Sequence, residues 1–201
     1  FQTVKGGGHG DYRLIALAPA SVQEMADFVG LAFDLAFKYR NPAIILADGV
    51  IGQMMEKVVL PEQRPRLTNE EVMARCPWAT FGKLKHRGPN IVTSLELDPA
   101  EMEKRNIHLQ QKYAEIEEKE VRYEEIHCDD AEYLIVAFGS CARIAQKAME
   151  EARAEGIKVG LLRPITLWPF PSKAIAERSR QVKGILTVEL NAGQMVEDVR
   201  L

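Results

Sequence analysis

The last third of the chain alternates short apolar runs with amphipathic segments, and this alternation constrains the fold more than any other feature of the sequence. The apolar runs occupy residues 133–138, 157–162 and 184–189. Between the first two, apolar residues recur at three- and four-residue intervals from Cys141 to Ala152, which is the period of a helix that packs one face on a sheet. A shorter helix is predicted over 173–180. The order β-α-β-α-β predicts a doubly wound parallel sheet.

A shorter α/β unit is predicted near the start of the chain. An apolar run at 14–18 precedes Ser21 and Glu24, whose spacing is that of a capping box, so a helix is expected to begin near residue 22. Asn41-Pro42 ends this helix, and a second apolar run at 43–47 follows. The order β-α-β predicts two parallel strands.

The middle of the chain lacks this alternation of apolar runs and helices. Residues 61–87 contain three prolines and frequent charges, which predicts an irregular connector. Asp98-Pro99 with Glu101 then predicts the start of a charged helix that runs to about residue 120. Its apolar stripe is narrow, which predicts a surface arm that lies over the body of the protein or over another subunit; a solvated helix face is the alternative. The stripe consists of Met102, Leu109, Tyr113 and Ile116.

Composition excludes several classes of function. With 201 residues and a formal net charge of −3, the chain has no basic field that would attract nucleic acid or an anionic membrane. No apolar stretch approaches the roughly 20 residues of a membrane span. The three cysteines include no Cys-x-x-Cys pair for zinc or an iron–sulfur cluster, and their odd number predicts a reducing, cytoplasmic compartment.

Two turns at the ends of predicted strands are the candidate ligand sites. Asp48-Gly49 follows the run 43–47, at the edge where ligands bind in open parallel sheets, although turn chemistry alone would also explain the pair. Gly139-Ser140 opens the long helix, where free amides and the helix dipole could bind an anion. Ordinary capping is the alternative there, and the third glycine of a dinucleotide fingerprint is missing.

Other chemical features have structural explanations. The glycine-rich run at 6–11 precedes a strand instead of opening a helix, so it is interpreted as a mobile loop and not as a phosphate cradle. Four scattered histidines show no metal-ligand spacing and are expected at the surface. Cys141 could have a lowered pKa near a helix N-terminus, but core filling explains it equally well. Glu189 could face a cleft, a subunit junction or solvent. These residues alone leave the catalytic residues unknown and predict no metal site.

Four segments resemble the alpha-type subunits of thiamine-diphosphate-dependent 2-oxoacid:ferredoxin oxidoreductases. Residues 10–24 and 42–49 are similar to the second half of the pyrimidine-binding domain in that family, and residues 129–140 and 162–171 to its transketolase C-terminal-like domain. The resemblance spans nearly the whole chain and is greatest to the branched-chain, 2-oxoisovalerate type, partly through Arg105-Asn106 and the segment 112–123.

The resemblance implies an α/β protein. It would contain a partial thiamine-diphosphate-binding domain of the pyrimidine type at 1–60, a connector with a charged helical arm at 61–127, and a transketolase C-terminal-like domain with a doubly wound parallel sheet at 128–201. On sheet topology alone, Asp48 and Gly49 are expected near the cofactor. The family's activating glutamate and substrate loop match no position here and are expected before Phe1, so the chain is interpreted as the C-terminal portion of a subunit that is inactive alone.

The implied reaction is the oxidative decarboxylation of a 2-oxoacid, 2-oxoisovalerate in the first instance, with coenzyme A to an acyl-CoA. Thiamine diphosphate and Mg²⁺ would be held in the assembled complex, with the diphosphate and Mg²⁺ on a beta-type subunit. Iron–sulfur clusters on other subunits would pass the electrons to ferredoxin. Two alternatives remain open: a non-catalytic assembly module, and a nucleotide-binding domain of the Rossmann or flavodoxin type.

Overall fold

The structure is a computed structural model that describes residues 2–6, 10–80, 82 and 85–201. Gly7, Gly8 and His9 of the glycine-rich run lie outside these residues. The chain forms two compact units, a larger one of Phe1–Leu60 with His108–Leu201 and a smaller one of Pro61–Ile107. The helices and strands are, in chain order, α1 (Gln2–Lys5), β1 (Ile15–Leu17), α2 (Val22–Tyr39), β2 (Ala43–Ile45), α3 (Gly49–Gln53), α4 (Asn69–Arg75), α5 (Pro99–Lys119), β3 (Tyr123–Ile126), β4 (Tyr133–Ala137), α6 (Gly139–Ala154), β5 (Val159–Pro164), β6 (Thr166–Trp168), α7 (Ser172–Ser179), β7 (Gly184–Val188) and α8 (Met195–Arg200).

The first sheet has the strand order β2-β1-β6 and contains the predicted β-α-β unit. β1 and β2 are parallel, as the sequence predicted, and β1 is completely buried at the centre. The inner face of α2, with Phe28, Leu35 and Tyr39, is buried. β6 was not predicted; it pairs antiparallel with β1.

The start of α2 corrects half of the predicted capping box. The Ser21 hydroxyl accepts a hydrogen bond from Glu24 N at 3.1 Å, as expected. The Glu24 carboxylate, however, accepts from Ala20 N at 2.7 Å and not from the capping serine. The Glu24 carboxylate also binds Arg163, which lies in the other sheet. Local sequence spacing could not predict this contact.

The second sheet has the strand order β3-β5-β4-β7, in which β4, β5 and β7 are parallel. The long helix α6 packs against one face of β4, through Ile135 and Ala137. Helices α7 and α8 pack against the other face, through Leu134 and Val136. The predicted doubly wound sheet is therefore confirmed. β3 adds an antiparallel edge strand, which was not predicted from the sequence.

The two sheets share one stretch of chain. β6 begins two residues after β5 ends. The chain leaves the second sheet between them, and β6 becomes the third strand of the first sheet. Residues 1–60 and 108–201 consequently form a single unit. The domain boundaries proposed at residues 60 and 127 remain predictions.

In the smaller unit, the prediction of an irregular connector over 61–87 is wrong for residues 69–75, which form α4. Thr68 and Glu71 make a reciprocal capping box: Glu71 N donates to Thr68 Oγ1 at 3.2 Å and Thr68 N donates to Glu71 Oε2 at 2.8 Å. This local motif outweighs the nearby prolines. The start of α5 at Pro99 is confirmed, because Asp98 accepts hydrogen bonds from the first turn.

The C-terminal half of α5 belongs to the larger unit, where the predicted apolar stripe packs over the body of the protein. Tyr113 and Ile116 are buried there, and the Tyr113 ring meets Trp168 edge to face at a centroid distance of 5.7 Å. Met102, in the smaller unit, is 43% exposed. Within the described residues, no helix is both long enough and apolar enough to cross a membrane.

Candidate functional site

The carboxyl ends of the two sheets meet at Asp48. This residue follows β2 and is the N-cap of α3, where its Oδ1 accepts a hydrogen bond from Ile51 N at 2.9 Å. Its Oδ2 accepts a second hydrogen bond from Ser140 N at 2.8 Å, in the first turn of α6. One carboxylate therefore binds the N-terminal amides of two helices that begin at the ends of strands in different sheets.

Gly139 makes this contact possible. Its φ of +59° lies in the left-handed region, and a Cβ atom at this position would lie 2.9 Å from Asp48 Oδ2. A side chain would therefore be strained in its backbone and would collide with the carboxylate. At the Gly139-Ser140 turn, the Ser140 amide is capped by a carboxylate of the protein itself, Asp48, and does not bind a ligand anion.

The surroundings set the ionisation of Asp48 and Cys141 in opposite directions. Burial opposes the charge on Asp48, but the amides of Ile51 and Ser140 outweigh it and lower the pKa of the carboxyl below its ordinary value. Burial raises the pKa of the Cys141 thiol, and the charges of Asp48 and Glu189 raise it further. The alternative of a lowered pKa at Cys141 is wrong, and its interpretation as a core residue is confirmed.

The carboxylate of Glu189 is occupied by hydrogen bonds within the protein. It accepts hydrogen bonds from the backbone amides of the first turn of α8, including Met195 N at 2.8 Å and Val196 N at 3.1 Å. Asn191 also donates to it, at 3.3 Å. These hydrogen bonds outweigh the effect of burial and lower the pKa of Glu189.

An apolar cleft of about 450 Å³, counted with the solvent at its mouth, lies beside Glu189. It occupies the end of β4 next to β7, where successive strand connections turn in opposite directions. Ligands commonly bind at this position in doubly wound sheets. The cleft is lined by Val4, Leu46, Phe138, Leu167, Phe170, Glu189, Asn191, Gln194, Met195 and Asp198.

A second, polar cleft lies between the starts of α2 and α6 and is lined by paired charges. Arg163, with a side chain 8% exposed, donates to Glu24 through both terminal nitrogens at 2.9 and 2.7 Å, and through Nε to Glu124 at 2.9 Å. Arg143 donates to Glu56 at 2.7 Å. Both arginines of this cleft are paired with glutamates, so neither is left to bind an anion.

The described residues do not form a complete site for a magnesium diphosphate. They contain no group of three His, Cys, Asp or Glu side chains placed to hold a metal ion. His86, His108 and His127 are exposed, as predicted. Asp48 and Glu189, the carboxylates at the strand ends, already bind backbone amides. Gly49 is open, because a Cβ atom added there would meet no other atom within 4 Å.

Comparison with known families gives two adjoining matches. The family described as pyruvate flavodoxin/ferredoxin oxidoreductase, thiamine-diphosphate-binding, matches residues 4–127. The family described as pyruvate:ferredoxin oxidoreductase core domain II matches residues 131–201. Three residues, 128–130, separate the two matches just before β4.

Curated relatives are subunits of 2-oxoacid oxidoreductases. The chain is 52% identical over its whole length to the ketoisovalerate oxidoreductase subunit VorB of Methanothermobacter thermautotrophicus and covers 55% of it. It is 33% identical, over 96% of its length, to the 2-oxoglutarate synthase subunit KorA of Methanothermobacter marburgensis and covers 57% of it. The chain thus spans about half the length of these relatives.

A solved structure supports the same fold. The 2-oxoglutarate:ferredoxin oxidoreductase from Magnetococcus marinus, with 2-oxoglutarate, coenzyme A and succinyl-CoA bound, matches all of this chain and 39% of its own, with a TM-score of 0.74 at 22% identity. At that identity the likeness establishes the architecture of the chain.

Proposed function

This chain belongs to the alpha-type subunits of the 2-oxoacid:ferredoxin oxidoreductases, and on that premise we propose that it is part of an enzyme that oxidatively decarboxylates a 2-oxoacid with coenzyme A. The products would be an acyl-CoA and carbon dioxide, and the electrons would pass to ferredoxin. The observation that carries the proposal is the 52% identity over the whole chain to a ketoisovalerate oxidoreductase subunit. The lower identity of 33% to a 2-oxoglutarate synthase subunit favours 2-oxoisovalerate as the substrate.

The cofactor would be thiamine diphosphate, since the family that matches residues 4–127 is thiamine-diphosphate-binding. When bound, it would supply the carbanion chemistry of the decarboxylation. We propose that the diphosphate and Mg²⁺ are held mainly by a beta-type subunit, and that iron–sulfur clusters lie on further subunits. The three cysteines of this chain are buried and widely spaced in sequence, which agrees with clusters elsewhere.

The turn Asp48–Gly49 is the proposed approach of this chain to the cofactor. It lies at the carboxyl end of a strand in the region matched by the thiamine-binding family. Residues 1–201 alone would be inactive, because the family's activating glutamate and substrate loop match no position in them. We place the assembled complex in the cytoplasm.

The test is turnover by the protein that contains this chain, co-expressed with its beta-type and iron–sulfur subunits. Coenzyme-A-dependent reduction of ferredoxin or viologen is measured with 2-oxoisovalerate, 2-oxoglutarate and pyruvate. The proposal predicts turnover with the highest kcat/KM for 2-oxoisovalerate. A higher kcat/KM for another of these acids would overturn the substrate assignment, and no turnover in an assembled complex would overturn the activity.

A non-catalytic assembly module is the second candidate, motivated by the absence, among the described residues, of a His, Cys, Asp and Glu group that could hold a metal ion. It is tested by deleting residues 133–201 from the protein in the complex. Loss of activity with unchanged assembly, measured by light scattering, would argue against a pure assembly role. The Rossmann alternative is weakened because Ser140 N, at the helix start where a nucleotide phosphate would bind, is already bound to Asp48.

A further inference from the structure

The contact between Asp48 and Ser140 joins the regions matched by two different families. Asp48 lies in the thiamine-binding match and Ser140 in the core domain II match. Their contact, at 2.8 Å, connects residues 92 positions apart in sequence. Other polar contacts also bridge these regions, among them the buried contact of Arg163 with Glu24 and the more exposed contact of Arg143 with Glu56.

The two oxygens of Asp48 have separate tasks. Oδ1 binds Ile51 N and so fixes the turn that contains Gly49, while Oδ2 binds Ser140 N and so fixes that turn to α6. The carboxylate is short and has two side-chain torsions, so a displacement of either helix breaks one of the two hydrogen bonds. Gly139 admits the carboxylate at a distance that any side chain would block.

We infer that Asp48 is a positioning residue, which holds the turn at Gly49 in place for the cofactor by binding α6 of the second region. This inference rests on the proposed function. It assigns to Asp48 a task that is distinct from contact with the cofactor and from capping α3 alone. The contact also gives α6, a helix of core domain II, a direct influence on the cofactor-facing edge of the thiamine-binding region.

Asparagine at position 48 separates these tasks. Asn is a good N-cap, and its carbonyl oxygen can still accept from Ile51 N. Its amide nitrogen would then face Ser140 N, so two donors would oppose each other and the bond to α6 would be lost. Asp48→Ala removes both bonds. Gly139→Ala disturbs the same contact from the other side by placing a Cβ atom 2.9 Å from Oδ2.

The measurement is the concentration of thiamine diphosphate that gives half-maximal turnover in the assembled complex after removal of the cofactor. We expect Asp48→Asn and Asp48→Ala to raise it similarly, by roughly tenfold to a hundredfold, because a displaced positioning group misplaces its ligand. The double variant Asp48→Asn/Gly139→Ala should cost less than the product of the two single effects, since both disturb one contact. Asp98→Asn is the matched control, because Asp98 caps only α5; it should leave the value unchanged.

Three outcomes are distinguishable. If the wild type requires thiamine diphosphate and Asp48→Asn behaves like Asp48→Ala, the inference is supported. If the wild type requires it but Asp48→Asn retains the wild-type value, Asp48 only caps α3 and the inference is overturned while the proposed function stands. If the turnover of the assembled wild type does not depend on thiamine diphosphate, both the proposed function and the inference are overturned.

Discussion

Replacing Glu120 by glutamine tests whether a single buried carboxylate holds α2 and α5 together. The side chain of Glu120 is 4% exposed. Its Oε1 accepts hydrogen bonds from Lys38 Nζ at 2.6 Å and Tyr39 Oη at 2.7 Å, and its Oε2 accepts one from Arg122 Nη1 at 2.9 Å. The donors come from the end of α2 and from the residues after α5.

The magnitude follows from the ionisation of Glu120. Burial opposes the charge, but the hydrogen bonds from Lys38, Tyr39 and Arg122 outweigh it and lower the pKa from 4.5 to about 2. A difference of about 2.5 pH units, at about 1.36 kcal/mol each, corresponds to about 3 kcal/mol of unfolding free energy. Lys38 and Arg122 are partly exposed and can be hydrated once the carboxylate is gone, so their own desolvation adds little.

The dependence on pH has a definite sign. Because the pKa of Glu120 is lower in the folded than in the unfolded chain, its contribution is complete well above pH 4.5 and is lost as the pH falls toward 2. Glu120→Gln should therefore lower the unfolding free energy by about 3 kcal/mol at pH 7 and by only about 2 kcal/mol at pH 3.5.

The assay is urea unfolding followed by the fluorescence of Trp168, which is buried in the same cluster as Tyr39 and Ile116. A Trp78→Phe background removes the other tryptophan. At pH 7 the midpoint should fall by roughly 1.5 M, and Glu117→Gln, at an exposed position of the same helix, should not change it. Equal midpoints for wild type and Glu120→Gln, or a difference that is the same at pH 7 and pH 3.5, would refute the reasoning.

Three further predictions follow from individual contacts. Gly160→Ala should lower the unfolding free energy by about 1–3 kcal/mol in urea titrations, because its Cβ would lie 2.9–3.0 Å from three neighbouring atoms, two of them backbone. Gly52→Ala is the control: its Cβ would meet no atom within 4 Å, so the change should be neutral or stabilising. Equal effects of the two substitutions would contradict the account. Arg163→Lys should lower the thermal midpoint, since lysine cannot replace the two-nitrogen contact with Glu24, and an unchanged midpoint would count against that contact. Cys141 should react with iodoacetamide far more slowly at pH 8 in native than in unfolded protein, as followed by mass spectrometry, and rapid native labelling would contradict its buried, raised-pKa environment.

Local patterns in the sequence predicted the elements that depend on local physics. The helix start at Val22, the start at Pro99 and the long helix α6 each follow from a capping signal or a clear apolar period, and the structure confirms all three. The parallel arrangement of β1 and β2 follows from a helical crossover between two apolar runs.

Strands that depend on distant partners were missed. β6 is three residues long and lies in a proline-rich segment, so its sequence has no strand period; it is a strand because β1 lies beside it. β3 contains two glutamates among its four residues and is stabilised by pairing with the buried β5. In contrast, α4 has a local signal in the Thr68–Glu71 spacing, but the prediction of a connector rested on the prolines and charges of this segment and did not include that spacing.

The candidate site shows the same limit. The sequence identified Asp48 and Gly139-Ser140 as separate turns, each with its own alternatives. Only the fold shows that one binds the other, because 92 positions separate the contacting residues and no local signal connects them. The role of Glu189 as the cap of α8 was missed although the cap is local, since it lies five to seven residues before the amides that it binds, outside the usual capping spacing.

The most direct test of membership in a thiamine-dependent enzyme is the dependence of turnover on the cofactor. The protein that contains this chain is assembled with its partner subunits and stripped of thiamine diphosphate and Mg²⁺. Coenzyme-A-dependent viologen reduction with 2-oxoisovalerate is then measured before and after both are restored. The account predicts that turnover is lost on removal and returns on addition; turnover that persists unchanged without the cofactor, or an assembled complex that stays inactive with it, would contradict the account.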